Sequence, residues 1–322
     1  MYGSKSYTSQ KVTLQKPTKP KGIFKKLLST GQTTLPYIQP DEQIPEPLLK
    51  EFSPQQWREG FESTDKELRY NWNEQFIQIY IPQLWGRLYL LLAAFAKVIV
   101  LYFSFAAIFS FLVVFIKSDY DWVITARAVY IYLEWLFLPS ALIWLQFELS
   151  TRFCTNPWFL KPRLYFELNR QNGLVTLYGR FRRVRFQHPF IEFDCVLTSA
   201  PYSQGLIRYG LMLVHRYQGY RMGVPLSVML PGGSQARGEY VRLWNFVLSY
   251  MDVSRPLPDT LALEMSRPED PTTAAEDSQT GRPARYWRDM DEATFKVEVA
   301  QRVQRHRERI GEGPLNIFES IE

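Results

Sequence analysis

Two apolar runs, Leu88 to Ile116 and Trp122 to Phe147, are separated only by Lys117-Ser118-Asp119-Tyr120-Asp121. A helix needs roughly 20 residues to cross the hydrocarbon of a bilayer, so each run is long enough, with room for tilt. The pattern predicts a tight transmembrane hairpin with spans at about 88–116 and 122–147. Bulk composition hides this, because 46% hydrophobic residues and a mean hydropathy of −0.22 describe an ordinary soluble chain. The apolar residues are clustered, however, and the polar flanks leave room for one soluble domain plus tails.

Charge around the spans predicts their orientation, since Lys and Arg in short flanks resist translocation. The connecting loop has one Lys and two Asp, whereas Arg69 and Arg87 precede the first span and Arg152, Lys161, Arg163 and Arg170 follow the second. Both termini are therefore expected on the cytoplasmic side of the membrane. Trp85, Arg87 and Trp122 read as interface anchors at headgroup level. Cys154 and Cys195 read as free thiols in a reducing compartment, and the Lys-rich start lacks the apolar stretch of a signal peptide.

Residues 1–53 read as a flexible basic and Pro-rich arm, 54–84 as a cytosolic helical segment, and 85–149 as the hairpin. Beyond it, short runs of Val, Ile, Phe, Tyr and Leu broken by turn residues predict antiparallel strands. The candidates are 163–168, 174–178, 182–187, 190–198, 206–217 and 224–230, with Asn169-Arg170-Gln171-Asn172-Gly173 as the first turn and Pro231-Gly232-Gly233 ending the sheet. Residues 239–250 form a helix with one wide apolar stripe. Residues 150–253 thus make a cytosolic β-rich domain, 254–288 a Pro-rich linker, 289–310 a C-terminal helix and 311–322 a tail. The fold class expected is α+β: a transmembrane helical hairpin plus an antiparallel β-rich domain closed by a helix.

Lys97 and Glu134 stand at membrane depth, where an ionisable group is costly and often functional. Reflecting the hairpin about Asp119 leaves them about 10 Å apart along the axis at 1.5 Å per residue. Their side chains also tilt in opposite senses, each toward its own N-terminus. Separate snorkelling or contact with another subunit competes with direct pairing, and ion conduction requires an oligomer. Arg180, Arg182, Arg183 and Arg185 follow the membrane closely, within a stretch from Thr151 to Arg255 that has fourteen Lys and Arg against five acidic residues. Read as a strand, Arg180 and Arg182 face one way and Arg183 and Arg185 the other. Such a surplus suits anionic headgroups at about 1 kcal/mol per basic residue, although a positive-inside flank explains it equally well and nucleic acid is the weaker rival.

His188, His215 and His306 are the only histidines, and none stands in a zinc-protease or Cys-associated zinc pattern. Phosphate loops and nucleophile elbows are missing too. Glu167, Glu192 and Asp194 read as solvent-facing partners for Arg. The residues therefore predict no enzyme, no cofactor and no metal, and leave anchoring and interaction as the function.

The two spans, the turn-bearing pair Tyr165-Phe166-Glu167-Leu168-Asn169-Arg170-Gln171-Asn172-Gly173-Leu174-Val175 and the tail Arg282-Pro283-Ala284-Arg285-Tyr286-Trp287-Arg288 resemble an uncharacterised family of bacterial inner-membrane proteins, often encoded near type VI secretion effectors. The meander closed by a helix also resembles a pleckstrin-homology-type module. The family resemblance implies immunity or accessory service to a secreted toxin, hence a protein partner as well as the lipid bilayer. An anionic-lipid sensor or scaffold and an oligomeric ion-conducting protein are the alternatives.

Overall fold

The computed structural model describes residues 2–18, 31–38, 42–60, 71–116, 122–153, 161–202, 206–218, 223–230, 236–308 and 313–318. The hairpin tip 117–121, Cys154, the side chain of Trp122 and Pro231-Gly232-Gly233 lie outside them. The chain divides into two units, Met1–Ile79 with Leu164–Glu322, and Tyr80–Arg163.

In chain order the elements are strand β1 (Gln32–Leu35), helices α1 (Glu46–Leu49) and α2 (Pro54–Gly60), strand β2 (Phe76–Ile81), helices α3 (Leu84–Ile116), α4 (Trp122–Tyr132) and α5 (Leu138–Arg152), strands β3 (Arg163–Asn169), β4 (Leu174–Tyr178), β5 (Val184–Pro189), β6 (Phe193–Pro201), β7 (Ile207–His215) and β8 (Gly223–Pro225), then helices α6 (Arg237–Met251), α7 (Pro271–Thr280) and α8 (Glu292–Glu308). The larger unit is α+β with two antiparallel four-stranded sheets, ordered β2-β3-β4-β5 and β1-β6-β7-β8.

β2 corrects the expectation of helix up to residue 84. Ile77 and Ile79 are buried while their neighbours are half exposed, the period-2 pattern of a strand with one covered face. It runs antiparallel to β3: the Arg170 N–H donates to the Gln75 carbonyl at 2.8 Å, and Gln78 Nε2 donates to Glu167 at 2.8 Å. The whole apolar hairpin is therefore inserted in the connection between two neighbouring strands. β3 turns into β4 at Gly173, whose φ of +67° suits glycine, and a Cβ there would collide with the Lys5 carbonyl oxygen.

α6 is buried on nearly every side rather than along one stripe, from Tyr240 through Leu243, Trp244, Phe246, Val247 and Tyr250. Its polar atoms are met by segments that sequence reading assigned to the amino-terminal arm and to the helical segment after it. Trp244 Nε1 donates to the Pro36 carbonyl at 2.7 Å, Asn245 Nδ2 to Gln43 at 2.6 Å, and the Tyr250 hydroxyl to the Asn73 carbonyl at 2.8 Å. The described parts of residues 1–53 are thus no free arm: Tyr7 and Tyr37 are core residues, and Ser9 Oγ donates to Asp252 at 2.5 Å. β1 pairs with β6.

The expected linker 254–288 is likewise built into the core. It contains a 3-10 stretch at Leu261–Glu269 and α7, which Asp270 caps by accepting from the Thr273 N–H at 3.0 Å. Its prolines stop long regular structure without preventing burial of Leu257, Leu263 and Trp287. Strand assignments shift elsewhere: Phe190–Glu192 is a 3-10 turn before β6, and Leu226–Met229 a 3-10 turn after the short β8. The expected 289–310 helix runs as α8.

The second unit consists of α3 packed against α5, with α4 between them in sequence. Buried Gly86, Ala93, Ala96 and Val100 on α3 and Ser140 on α5 allow close approach of the two backbones. A π-helical turn at Leu133–Phe137 joins α4 to α5, with the Leu138 N–H reaching back to the Leu133 carbonyl. Pro139 explains it: the ring would collide with the carbonyl four residues back in a regular helix, and widening the turn accommodates it.

Candidate functional site

Three features have functional potential: the apolar hairpin, an arginine turn and a histidine cluster. Leu84–Phe109 and Tyr130–Arg152 are long and apolar enough to cross a membrane. Only 17% and 6% of positions in their most apolar windows are buried, whereas the core helix α6 of the other unit is covered almost throughout. Trp85 is 62% exposed and Arg87 is exposed at the start of α3. Lys97 and Glu134 form no ion pair with each other among the described residues. Lys97 Nζ stands 6.0 Å from the ring centroid of Trp144, at the outer limit of a cation–π contact, and Glu134 is exposed on the π turn.

Arg180, Arg182, Arg183 and Arg185 do not alternate on a strand. Arg180–Arg182 is a single 3-10 turn between β4 and β5, closed by the Gly179 N–H donating to the Arg183 carbonyl at 2.8 Å. Phe181 and Arg182 take φ of 59° and 56°, a left-handed conformation costing about 1–2 kcal/mol per non-glycine residue. Every side chain from Arg180 to Arg185 is exposed, Phe181 at 76%, with the Arg180 guanidinium 4.9 Å from the Phe181 ring centroid. β4 runs antiparallel to β3, pairing Phe166 with Leu177. The turn after β4 therefore lies at the sheet end where β2 stops and β3 starts.

The third feature escaped sequence reading. His188 near the end of β5, Glu192 in the following 3-10 turn and His215 at the end of β7 come together with their donor atoms within 4.8 Å of one another. His215 Nε2 stands 2.9 Å from Glu192 Oε2, His188 Nδ1 stands 3.6 Å from the same oxygen, and the two imidazole centroids are 4.0 Å apart. The β6–β7 register, Phe193 opposite His215, is what joins positions distant in sequence, and no linear motif announces it. Burial, then the neighbouring His215, lowers the His188 pKa, against the opposing pull of Glu192. Two imidazoles and a carboxylate are donors that divalent transition metals accept. Beside them Arg216 pairs with Asp194 at 2.9 Å and donates to the Ile191 and Phe193 carbonyls, locking the corner between the sheets.

The residues behind the family resemblance have structural roles. Arg170 is fully buried, donating to Asp270 at 3.2 and 3.3 Å and to the carbonyls of Tyr250, Asp252 and Arg255. In the Arg282–Arg288 tail, Glu264 accepts from the Trp287 and Arg288 N–H groups and from Arg288 Nε, while Arg282 and Arg302 converge on Asp259. No family model, curated protein or solved structure matches this chain.

Proposed function

We propose that the protein is a membrane-anchored interaction protein whose hairpin crosses the bilayer twice and whose α+β unit meets the anionic surface of the same leaflet through the Arg180–Arg185 turn. The carrying observation is the exposure of α3 and α5: water would reject two helices whose Leu and Phe side chains are uncovered. Because the hairpin leaves from β2 and returns to β3 at one end of one sheet, both outer ends belong on one face of the membrane. The Lys and Arg flanks make that face cytoplasmic.

A pleckstrin-homology-type arrangement fits the order of elements: a four-strand meander, β2 to β5, then a three-strand meander, β6 to β8, then α6. Here the first inter-strand connection is expanded into the anchor. The arginine turn occupies the sheet end at which the chain departs for that anchor. Arginines there attract anionic headgroups, and Phe181 offers an apolar tip to the interface.

Amide hydrogen exchange of the full chain in nanodiscs tests this reading. Peptides covering 179–185 are expected to be more protected in discs with phosphatidylglycerol than in purely zwitterionic discs. The triple variant Arg182→Gln, Arg183→Gln, Arg185→Gln, removing about 3 kcal/mol of attraction, should abolish the difference. Equal protection in both lipids would refute the lipid contact, and release of the chain from membranes by alkaline carbonate would refute the anchor itself.

A further inference from the structure

We propose that His188, Glu192 and His215 form a binding site for one divalent transition-metal ion, zinc foremost, with a coordination position left open to solvent. Tetrahedral ligands at the usual 2.0–2.1 Å from zinc stand about 3.3–3.4 Å from one another. The observed donor separations of 2.9 and 3.6 Å bracket that spacing. The remaining imidazole pair lies within the 4.8 Å limit of the cluster, and His188, 27% exposed, has room to rotate inward.

The surroundings suit a metal better than a histidine pair alone. Both imidazoles face one oxygen of a single carboxylate, His215 within hydrogen-bond distance at 2.9 Å and His188 short of it at 3.6 Å, an arrangement an ion between the three would close. The Glu192 bond is the only one on the 4%-exposed His215 side chain, for its Nδ1 is buried and meets no hydrogen-bond partner among the described residues. The 2.9 Å contact with the Glu192 carboxylate places the His215 proton on Nε2 in the ion-free protein, and an ion bound there would take that proton's place between the two. The Gln218 amide nitrogen lies 3.2 Å from Nε2 of His188; with Nδ1 on a metal that Nε2 would carry the proton, and the Gln218 amide would have to turn its oxygen toward it to serve as the outer acceptor. Phe186, Phe193 and Tyr217 enclose the rings in aromatic contacts, with centroids 5.3–6.5 Å away. The nearby Arg216 charge is met by Asp194, leaving the Glu192 charge for the ion.

The three protein donors found among the described residues leave a four-coordinate zinc one further position. The 27% and 29% exposure of His188 and Glu192 lets solvent reach it. Closed structural zinc sites take four protein ligands, so this is the open kind, in which zinc makes a bound water more acidic.

Cobalt titration of tag-free, chelator-stripped full chain in detergent micelles tests the site. One equivalent is expected to bind with visible d–d bands, to be displaced by zinc, and to raise the melting temperature. His188→Ala and Glu192→Gln, both at half-exposed positions, should weaken binding at least as much as the roughly 10–100-fold typical of losing an outer-shell partner, and Gln218→Leu about 10-fold. Metal-free melting curves of these variants report whether they fold. Failure of the wild-type chain to bind, or unchanged bands in both His188→Ala and Glu192→Gln, would overturn the assignment.

Discussion

Buried charge in the α+β unit is concentrated on a few residues, and their removal should be felt out of proportion to their number. Arg170→Ala strips Asp270 of its bidentate partner and leaves several carbonyls without a donor. The expected loss is about 3–5 kcal/mol, read from denaturant unfolding followed by tryptophan fluorescence. Asp259 tests the second cluster through pH. Burial raises its pKa, but Arg302, Arg282 and Arg267 outweigh that, so the folded carboxyl titrates below its ordinary value. A depressed carboxylate contributes stability that is complete above the unfolded pKa, about 3.9, and drains away as pH falls through the folded value. Below about pH 4 the wild type should therefore lose stability more steeply than Asp259→Asn, and parallel acid limbs in thermal melts would contradict it. The arginines of these clusters were visible in sequence only as charge. Their partners lie far along the chain, and nothing in a linear pattern says which arginine will be buried.

At the level of elements, local chemistry was readable wherever the chain solves its problem alone. The turn ending in Gly173, the limits of α6 and the apolar runs are examples, because a left-handed glycine, a 3.6-residue period and uninterrupted hydrophobicity are local signals. Reading failed where tertiary contacts overrode them. Prolines at 256, 258, 268 and 271 suggested a linker, yet Pro256 and Pro258 lie in irregular chain, Pro268 sits within the 3-10 stretch and Pro271 opens α7, while Leu263 and Trp287 fill the core. The arginine turn was mistaken for a strand because nothing but its backbone strain distinguishes it, and the histidine cluster depends on strand register. Gly173→Ala should combine a φ penalty of about 1–2 kcal/mol with eviction of the Lys5–Ser6 backbone that packs on the turn. Faster proteolysis within the amino-terminal segment ahead of β1 is the expected readout. Cleavage unchanged from wild type would show that this segment holds its place without that contact.

For the molecule as a whole, the apolar hairpin and the α+β unit are one continuous thread rather than beads on a string. The chain up to Ile79 and everything from Leu164 onward build the same unit, and β2 meets β3 only after the entire apolar insertion has been made. Such a layout ties maturation to the order of synthesis. β2 leaves the ribosome well ahead of its neighbour, with Ile77 and Ile79 uncovered for that interval, and long-range pairing of this kind is slow and prone to aggregation. Nascent chains stalled after the second apolar stretch but before β4 should be membrane-inserted and still protease-sensitive throughout the segment ending at Ile79, gaining resistance only when α6 has emerged. On the proposed anchoring, a chain whose translocation is blocked would be left with a sheet it cannot zip, so that quality control of insertion and quality control of folding become a single checkpoint.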